Sequence, residues 1–113
     1  MITLNHFIND VAGQAKLICY FGSWSKYRPG LGNFDVKDID ANLCTHLIFG
    51  FSALNETTNE MVAYDVWNEL GADEGGFYGA YKQFTNLRQK NPALKVLLAI
   101  GGWNEGSEKY SKV

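Results

Sequence analysis

Three short, nearly continuous apolar runs punctuate the chain: KLICYF at 16–21, THLIFGF at 45–51 and KVLLAI at 95–100. Runs without polar alternation suit parallel strands covered on both faces. Between the second and third runs, Phe77, Tyr81, Phe84 and Leu87 recur at steps of four, three and three, the spacing of one helix face. That helix is predicted to continue to about Lys90, where Asn91-Pro92 ends it, because proline disfavours the helical conformation in the residue before it. Between the first two runs, residues 34–43 offer Asp35 as an N-cap and Val36, Ile39 and Leu43 at helical steps, which predicts a short crossover helix.

The resulting order, strand, helix, strand, helix, strand, predicts an α/β fold with a parallel sheet and right-handed crossovers. Three strands leave two unpaired edges, which a (β/α)8 barrel abolishes by closing. The expected architecture is therefore the first three βα units of a TIM barrel, incomplete in this chain, with a small doubly wound domain as the alternative. After the third run, Gly101-Gly102 makes a turn, and Ser107 offers a cap for a helix whose pattern has barely begun at Val113, as in a chain cut within a larger fold.

Composition narrows the function classes. At 113 residues, with 46% hydrophobic and 14% aromatic residues, the chain is globular material and not a disordered segment. Ten Lys and Arg against 12 Asp and Glu give a net charge of -2 with no basic stripe, which argues against a nucleic-acid partner. Lys, Asn, Gly or Asp interrupts every apolar run well short of the roughly 18 residues that a bilayer-spanning helix needs, so no membrane partner is expected.

Residues 1–15, MITLNHFINDVAGQA, lack a basic start and carry Asn5, His6, Asn9 and Asp10 among their apolar residues, which makes a poor secretory signal. They read as a leader-like or disordered segment, with the remaining residues, 16–113, as the folded part. Cys19 and Cys44 form a bridge if the protein is extracellular and remain buried thiols if it is not. A bridge would contribute roughly 3–4 kcal/mol in the chain-entropy model. Asn55-Glu56-Thr57 is a glycosylation sequon, relevant only to a secreted protein.

In parallel sheets, ligands bind at the carboxyl ends of the strands. Those ends read Tyr20-Phe21-Gly22-Ser23-Trp24 with Tyr27 beyond, Phe49-Gly50-Phe51, and Gly101-Gly102-Trp103-Asn104, so aromatic rings converge from all three. A hexopyranose packs its C–H face on an aromatic plane and asks for hydrogen bonds around its rim, and Asn supplies both a donor and an acceptor. Trp24 and Trp103 are the stacking candidates, and Trp67 either rims the same cleft or anchors the second loop. Tyr20, Phe49 and Phe51 are expected to pack in the core.

Other chemistries find less support. Gly75-Gly76 and Gly101-Gly102 fit neither glycine-rich phosphate motif, His46 opens a strand at the end opposite the cleft, and no His/Asp pair accompanies any serine. No cofactor and no metal site are expected. Residues 35–42, DVKDIDAN, differ at one position from D-x-x-D-x-D-x-E, but end in Asn, which cannot act as a general acid, and precede the second strand. They read as a capped, solvated segment.

Taken together, LICYFGSWSKYRPG, LCTHLIFGFSAL and NPALKVLLAIGGWNEGSEKYS resemble glycoside hydrolase family 18, in its animal and insect chitinase branch, over residues 16–113. The resemblance implies a secreted, monomeric TIM-barrel protein with a Cys19–Cys44 disulfide and a cleft for chitin or N-acetylglucosamine oligomers. It also implies that Tyr20 and Phe51 line the subsite next to the scissile bond, that Trp24 and Trp67 are cleft tryptophans, and that Gly101, Gly102, Trp103 and Asn104 contact the sugar. Ala99 stands where many members have Ser, and Val66 where many have Glu. The implied reaction is substrate-assisted and retaining: an acid protonates the glycosidic oxygen while the substrate's acetamide oxygen attacks the anomeric carbon. The acid is the Glu of D-x-x-D-x-D-x-E on the fourth strand, which these residues do not reach. A lectin that keeps the cleft without the acid, and an inactive truncated fragment, are the alternatives.

Overall fold

The computed structural model describes residues 15–71 and 79–113. Residues 1–14, Phe77 and the Gly75-Gly76 pair lie outside the described residues. Four strands form one sheet: β1 (Ile18–Gly22), β2 (His46–Asn55), β3 (Glu60–Ala63) and β4 (Lys95–Ile100). β2 is central. It pairs in parallel with β1, Tyr20 opposite Ile48, and with β4, Ile48 opposite Leu97. The three apolar runs thus become the three parallel strands, and the last keeps the bounds that KVLLAI sets.

Beyond its parallel part, β2 runs on through Ser52–Asn55 to pair with β3 antiparallel. The hydrophobic pattern does not predict this hairpin, because EMVA is four residues long and lies between turns. Its turn is organised by Asn55, whose side-chain oxygen accepts from the N–H groups of Thr57 and Thr58 at 2.9 and 3.3 Å. A five-residue helix, α1 (Val66–Leu70), follows β3, with Asp65 capping it by accepting from the Asn68 N–H at 3.1 Å.

The helix α2 (Ala80–Lys90) ends at Lys90 as its sequence predicts, with Arg88 and Lys90 placed in the last turn, where positive charge suits the helix dipole. Phe84 and Leu87 are buried on the sheet, and Tyr81 packs beside them. Phe49 is the centre of this core at 1% exposure, touching Phe21, Tyr81 and Phe84 edge-on with centroids 5.4, 4.9 and 5.2 Å away. Such edge contacts add about 0.5–1.5 kcal/mol each beyond burial.

Two expectations need correction. The predicted crossover helix at 34–43 is a single 3-10 turn, Val36–Asp38, followed by an irregular turn. Asp35 and Asp38 close a capping box over it, and the Asp40 carboxylate accepts from the Asn42 N–H at 2.9 Å. These local bonds offer the backbone an alternative to the helical ladder and end it after one turn. They also account for all three carboxylates of the DVKDIDAN segment. The second correction concerns the sheet, which is covered on one face only. The other leaves Ile18, Tyr20 and Leu97 between 48% and 67% exposed, so Tyr20 does not pack in the core.

Cys19 on β1 and Cys44, just before β2, are bonded as a disulfide, with Cα atoms 6.1 Å apart. Among the described residues no helix is long and apolar enough to cross a membrane.

Candidate functional site

At the carboxyl ends of the parallel strands lies a cleft of about 690 Å³, lined by Trp24, Tyr27, Phe51, Tyr64, Asp65, Val66, Gly101, Gly102, Trp103 and Asn104 with Ser23. Each wall has a local cause. β1 ends at Gly22, and the chain turns through the 3-10 segment Ser23–Tyr27, pinned by the Ser25 hydroxyl donating to the Phe34 carbonyl at 2.6 Å. A Cβ at Gly22 would stand 2.7 Å from the Trp24 indole, so glycine is what lets that ring fold back over the strand end. Trp24 then lies parallel to Phe51, with centroids 6.0 Å apart and planes at 10°.

Phe51 reaches the cleft because it sits outside the ladder. The β2–β4 register passes from Gly50 opposite Ala99 to Ser52 opposite Ile100, skipping Phe51 as a bulge. The Gly50–Phe51 peptide is cis. On the β4 side, Gly101 and Gly102 both have φ of +100°, a conformation that L side chains rarely adopt. At Gly102 a Cβ would also come within 3.0 Å of the Phe51 ring.

The loop carrying Trp103 and Asn104 is held from behind by Glu105. This carboxylate accepts from the Leu54 N–H at 3.1 Å, from Lys109 and from the Tyr110 hydroxyl, while Lys109 also donates to the Leu54 carbonyl at 2.9 Å. Burial works to raise the Glu105 carboxyl, but the bonds from Lys109, Tyr110 and Leu54 outweigh it and hold it below its usual range. Trp103 itself is 98% exposed, an apolar plane offered to the cleft.

The third wall, Tyr64 to Val66, follows the β3 hairpin. Tyr27 donates to Asp65 at 2.5 Å, and this bond, with burial and the nearby carboxylates of Asp65, Glu69 and Asp35, pushes the phenol up to about 12. Lys26 donates to Asn68 at 2.7 Å and lies 5.3 Å over the Trp67 ring. Behind this wall Glu69 is 1% exposed, and burial, offset in part by its hydrogen bonds, raises its carboxyl.

Of the residues singled out in the sequence, Trp24, Phe51, Gly101, Gly102, Trp103 and Asn104 come together in this cleft. Tyr20 stands on the uncovered sheet face, and Trp67 lies on α1 beside the cleft without entering its lining. Tyr64 and Asp65 are lining residues that sequence reasoning missed, since their place depends on the unpredicted hairpin, and Val66, singled out only as standing where many members have Glu, lines the cleft beside them. Among the described residues no group of three His, Cys, Asp or Glu side chains is placed to hold a metal ion. His46 meets its neighbour Thr45 at 2.9 Å at the opposite end of β2. The cleft therefore offers aromatic planes, amide and hydroxyl groups and one carboxylate, a set suited to a neutral polyhydroxylated ligand.

Residues 16–113 match glycosyl hydrolases family 18. The chain is 42% identical to an endochitinase of Manduca sexta over 98 residues, covering 87% of this chain and 17% of that protein. A crystal structure of an Ostrinia furnacalis Group IV chitinase is 47% identical with a TM-score of 0.74, covering 87% of this chain and 24% of that one. A structure of human YKL-39, described as a pseudo-chitinase with retained chitooligosaccharide binding, is 35% identical with a TM-score of 0.69 over 86% of this chain and 24% of that one. The chain thus spans about a quarter or less of these relatives. Its fold is the corresponding part of their barrel, with the sheet not closed, and the chain belongs to glycosyl hydrolases family 18.

Proposed function

We propose that this chain forms one wall of a cleft for β-1,4-linked N-acetylglucosamine oligomers, and that the whole protein of which it is a part is an extracellular chitinase. The observation that carries the reading is the convergence of Trp24, Phe51, Gly102, Trp103 and Asn104 on one cleft at the strand ends. Trp24 and Trp103 give planes for the C–H faces of successive sugars, and Asn104 gives a donor and an acceptor for hydroxyl or acetamide groups. The Cys19–Cys44 disulfide supports an oxidising compartment.

In the proposed reaction an acid protonates the glycosidic oxygen, and the acetamide oxygen of the substrate attacks the anomeric carbon. No D-x-x-D-x-D-x-E segment occurs in the 113 residues, so they bind and orient the sugar and do not cleave it. Titration with the N-acetylglucosamine tetramer, followed by tryptophan fluorescence, tests the binding. A saturable response absent with the glucose tetramer is expected, and no response to either would overturn the reading. Release of reducing ends by the chain itself would overturn its assignment as catalytically silent.

A second reading, a lectin that binds the same oligomers without hydrolysing them, draws support from the similarity to YKL-39, which is described as keeping oligomer binding as a pseudo-chitinase. The two part at one residue of the whole protein, the Glu or its replacement at the end of the fourth-strand motif.

A further inference from the structure

We propose that Glu69 is a positioning residue for the cleft, the buried tie that sets Trp24 and Trp67 against each other. The inference rests on the carbohydrate-binding reading above. Glu69 lies on α1, and its side chain meets three other parts of the fold. One oxygen accepts from the Tyr64 N–H at 2.8 Å and from the Tyr81 hydroxyl of α2 at 2.9 Å. The other accepts from the Ser23 hydroxyl at 3.5 Å. Ser23 immediately precedes Trp24, and Tyr64 and Glu69 bracket Trp67, so one carboxyl joins the two tryptophan-bearing segments to the helix behind them.

Position and burial separate this contact from its neighbours. Two further bonds cross between the same segments, Tyr27 to Asp65, which is exposed, and Lys26 to Asn68, which is part-buried like the Tyr64 and Tyr81 bonds of Glu69, whereas the Ser23–Glu69 contact is buried. Bonds open to water contribute little to holding a geometry. Glu69 is 1% exposed, and a carboxyl out of water is costly unless its partners are in place. Displacement of the Ser23 segment leaves one buried carboxyl oxygen without its partner, and displacement of Tyr64 leaves the other with Tyr81 alone, so this carboxyl resists movement of both segments. A purely apolar plug at this site would fill space without fixing the direction of either segment.

The test uses the chain labelled with 5-fluorotryptophan, whose three fluorine resonances report Trp24, Trp67 and Trp103 separately and are assigned by single Trp→Phe variants. In Glu69→Ala the Trp24 and Trp67 resonances should shift and broaden while that of Trp103 stays. Glu69→Gln, which can still accept from Tyr64 and Tyr81 and donate to Ser23, should restore them. Affinity for the N-acetylglucosamine tetramer should fall about tenfold in the Ala variant and stay within about threefold in the Gln variant. If Glu69→Ala does not fold, Tyr81→Phe carries the same measurement, since it removes one donor from the far side of the carboxyl. Unchanged Trp24 and Trp67 resonances in a folded variant would overturn the proposal. Shifted resonances in a chain that binds no tetramer even as wild type would uphold the tie and overturn the carbohydrate reading instead.

Discussion

Trp24 stacks on Phe51 with ring centroids 6.0 Å apart and planes 10° from parallel, and Gly102 comes so close to the same phenyl ring that a Cβ on it would stand 3.0 Å away. An indole from the end of β1, a phenyl ring expelled from the β2 ladder and a glycine from the end of β4 therefore form one unit.

Gly102→Ala should damage both the backbone and the stack. Its φ of +100° is costly for any residue with a Cβ, and the new methyl group would push on Phe51. A loss of about 1–3 kcal/mol is expected, read as a lower urea midpoint, together with a change in tryptophan fluorescence as Trp24 moves. An unchanged midpoint would contradict the packing described.

Trp103→Ala should do the opposite. At 98% exposure the ring holds nothing in place, so stability should change by no more than about 0.5 kcal/mol. Tetramer affinity should nevertheless fall about tenfold or more, measurable by calorimetry. Loss of stability without loss of binding would show the ring to be structural.

Glu105 gives the fold a pH dependence of known sign. Its carboxyl is held below the usual range in the folded chain, so folding favours the ionised form. The stability it contributes is present above the unfolded pKa and is lost as pH falls through the folded one. Glu105→Gln should lower stability at neutral pH by about 1 kcal/mol at most, given the screening expected for a group partly open to solvent, and should flatten that part of the acid limb. Urea midpoints from pH 3 to pH 7 check both points.

The disulfide closes a sequence separation of 25, for which the chain-entropy account gives roughly 3–4 kcal/mol. Replacing Cys19 and Cys44 together by Ser should lower the thermal midpoint by a corresponding margin. Reductant should lower that of the wild type and leave the double variant unmoved.

How much of this was legible in the sequence depended on whether local and tertiary preferences agreed. KVLLAI is apolar throughout and bounded by Asn-Pro-containing and Gly-Gly turns, and its strand was read to the residue. Phe84 and Leu87 repeat on one helix face and proved to face the sheet. The segment 34–43 has helical spacing too, but Asp35, Asp38 and Asp40 each bond a nearby N–H or close a cap, and such bonds do not register in a hydrophobic pattern. α1 was invisible for the converse reason: the residues it buries are Asn68 and Glu69, polar groups that a binary pattern assigns to solvent. Trp24, Phe51 and Trp103 could be placed together because parallel strands bring their carboxyl ends to one side. Tyr64, Asp65 and Val66 could not, because only the hairpin brings them back.

Every residue lining the cleft falls between Ser23 and Asn104, and so do Glu69 and the stack beneath it. On the reading proposed above, sugar recognition by this wall is carried by one contiguous stretch of sequence, separate from the fourth-strand acid. On that reading, substitution of the acid leaves these residues untouched, so that grip and cleavage can change independently. A protein that lost the proposed reaction would then have no structural reason, within these residues, to lose the proposed ligand.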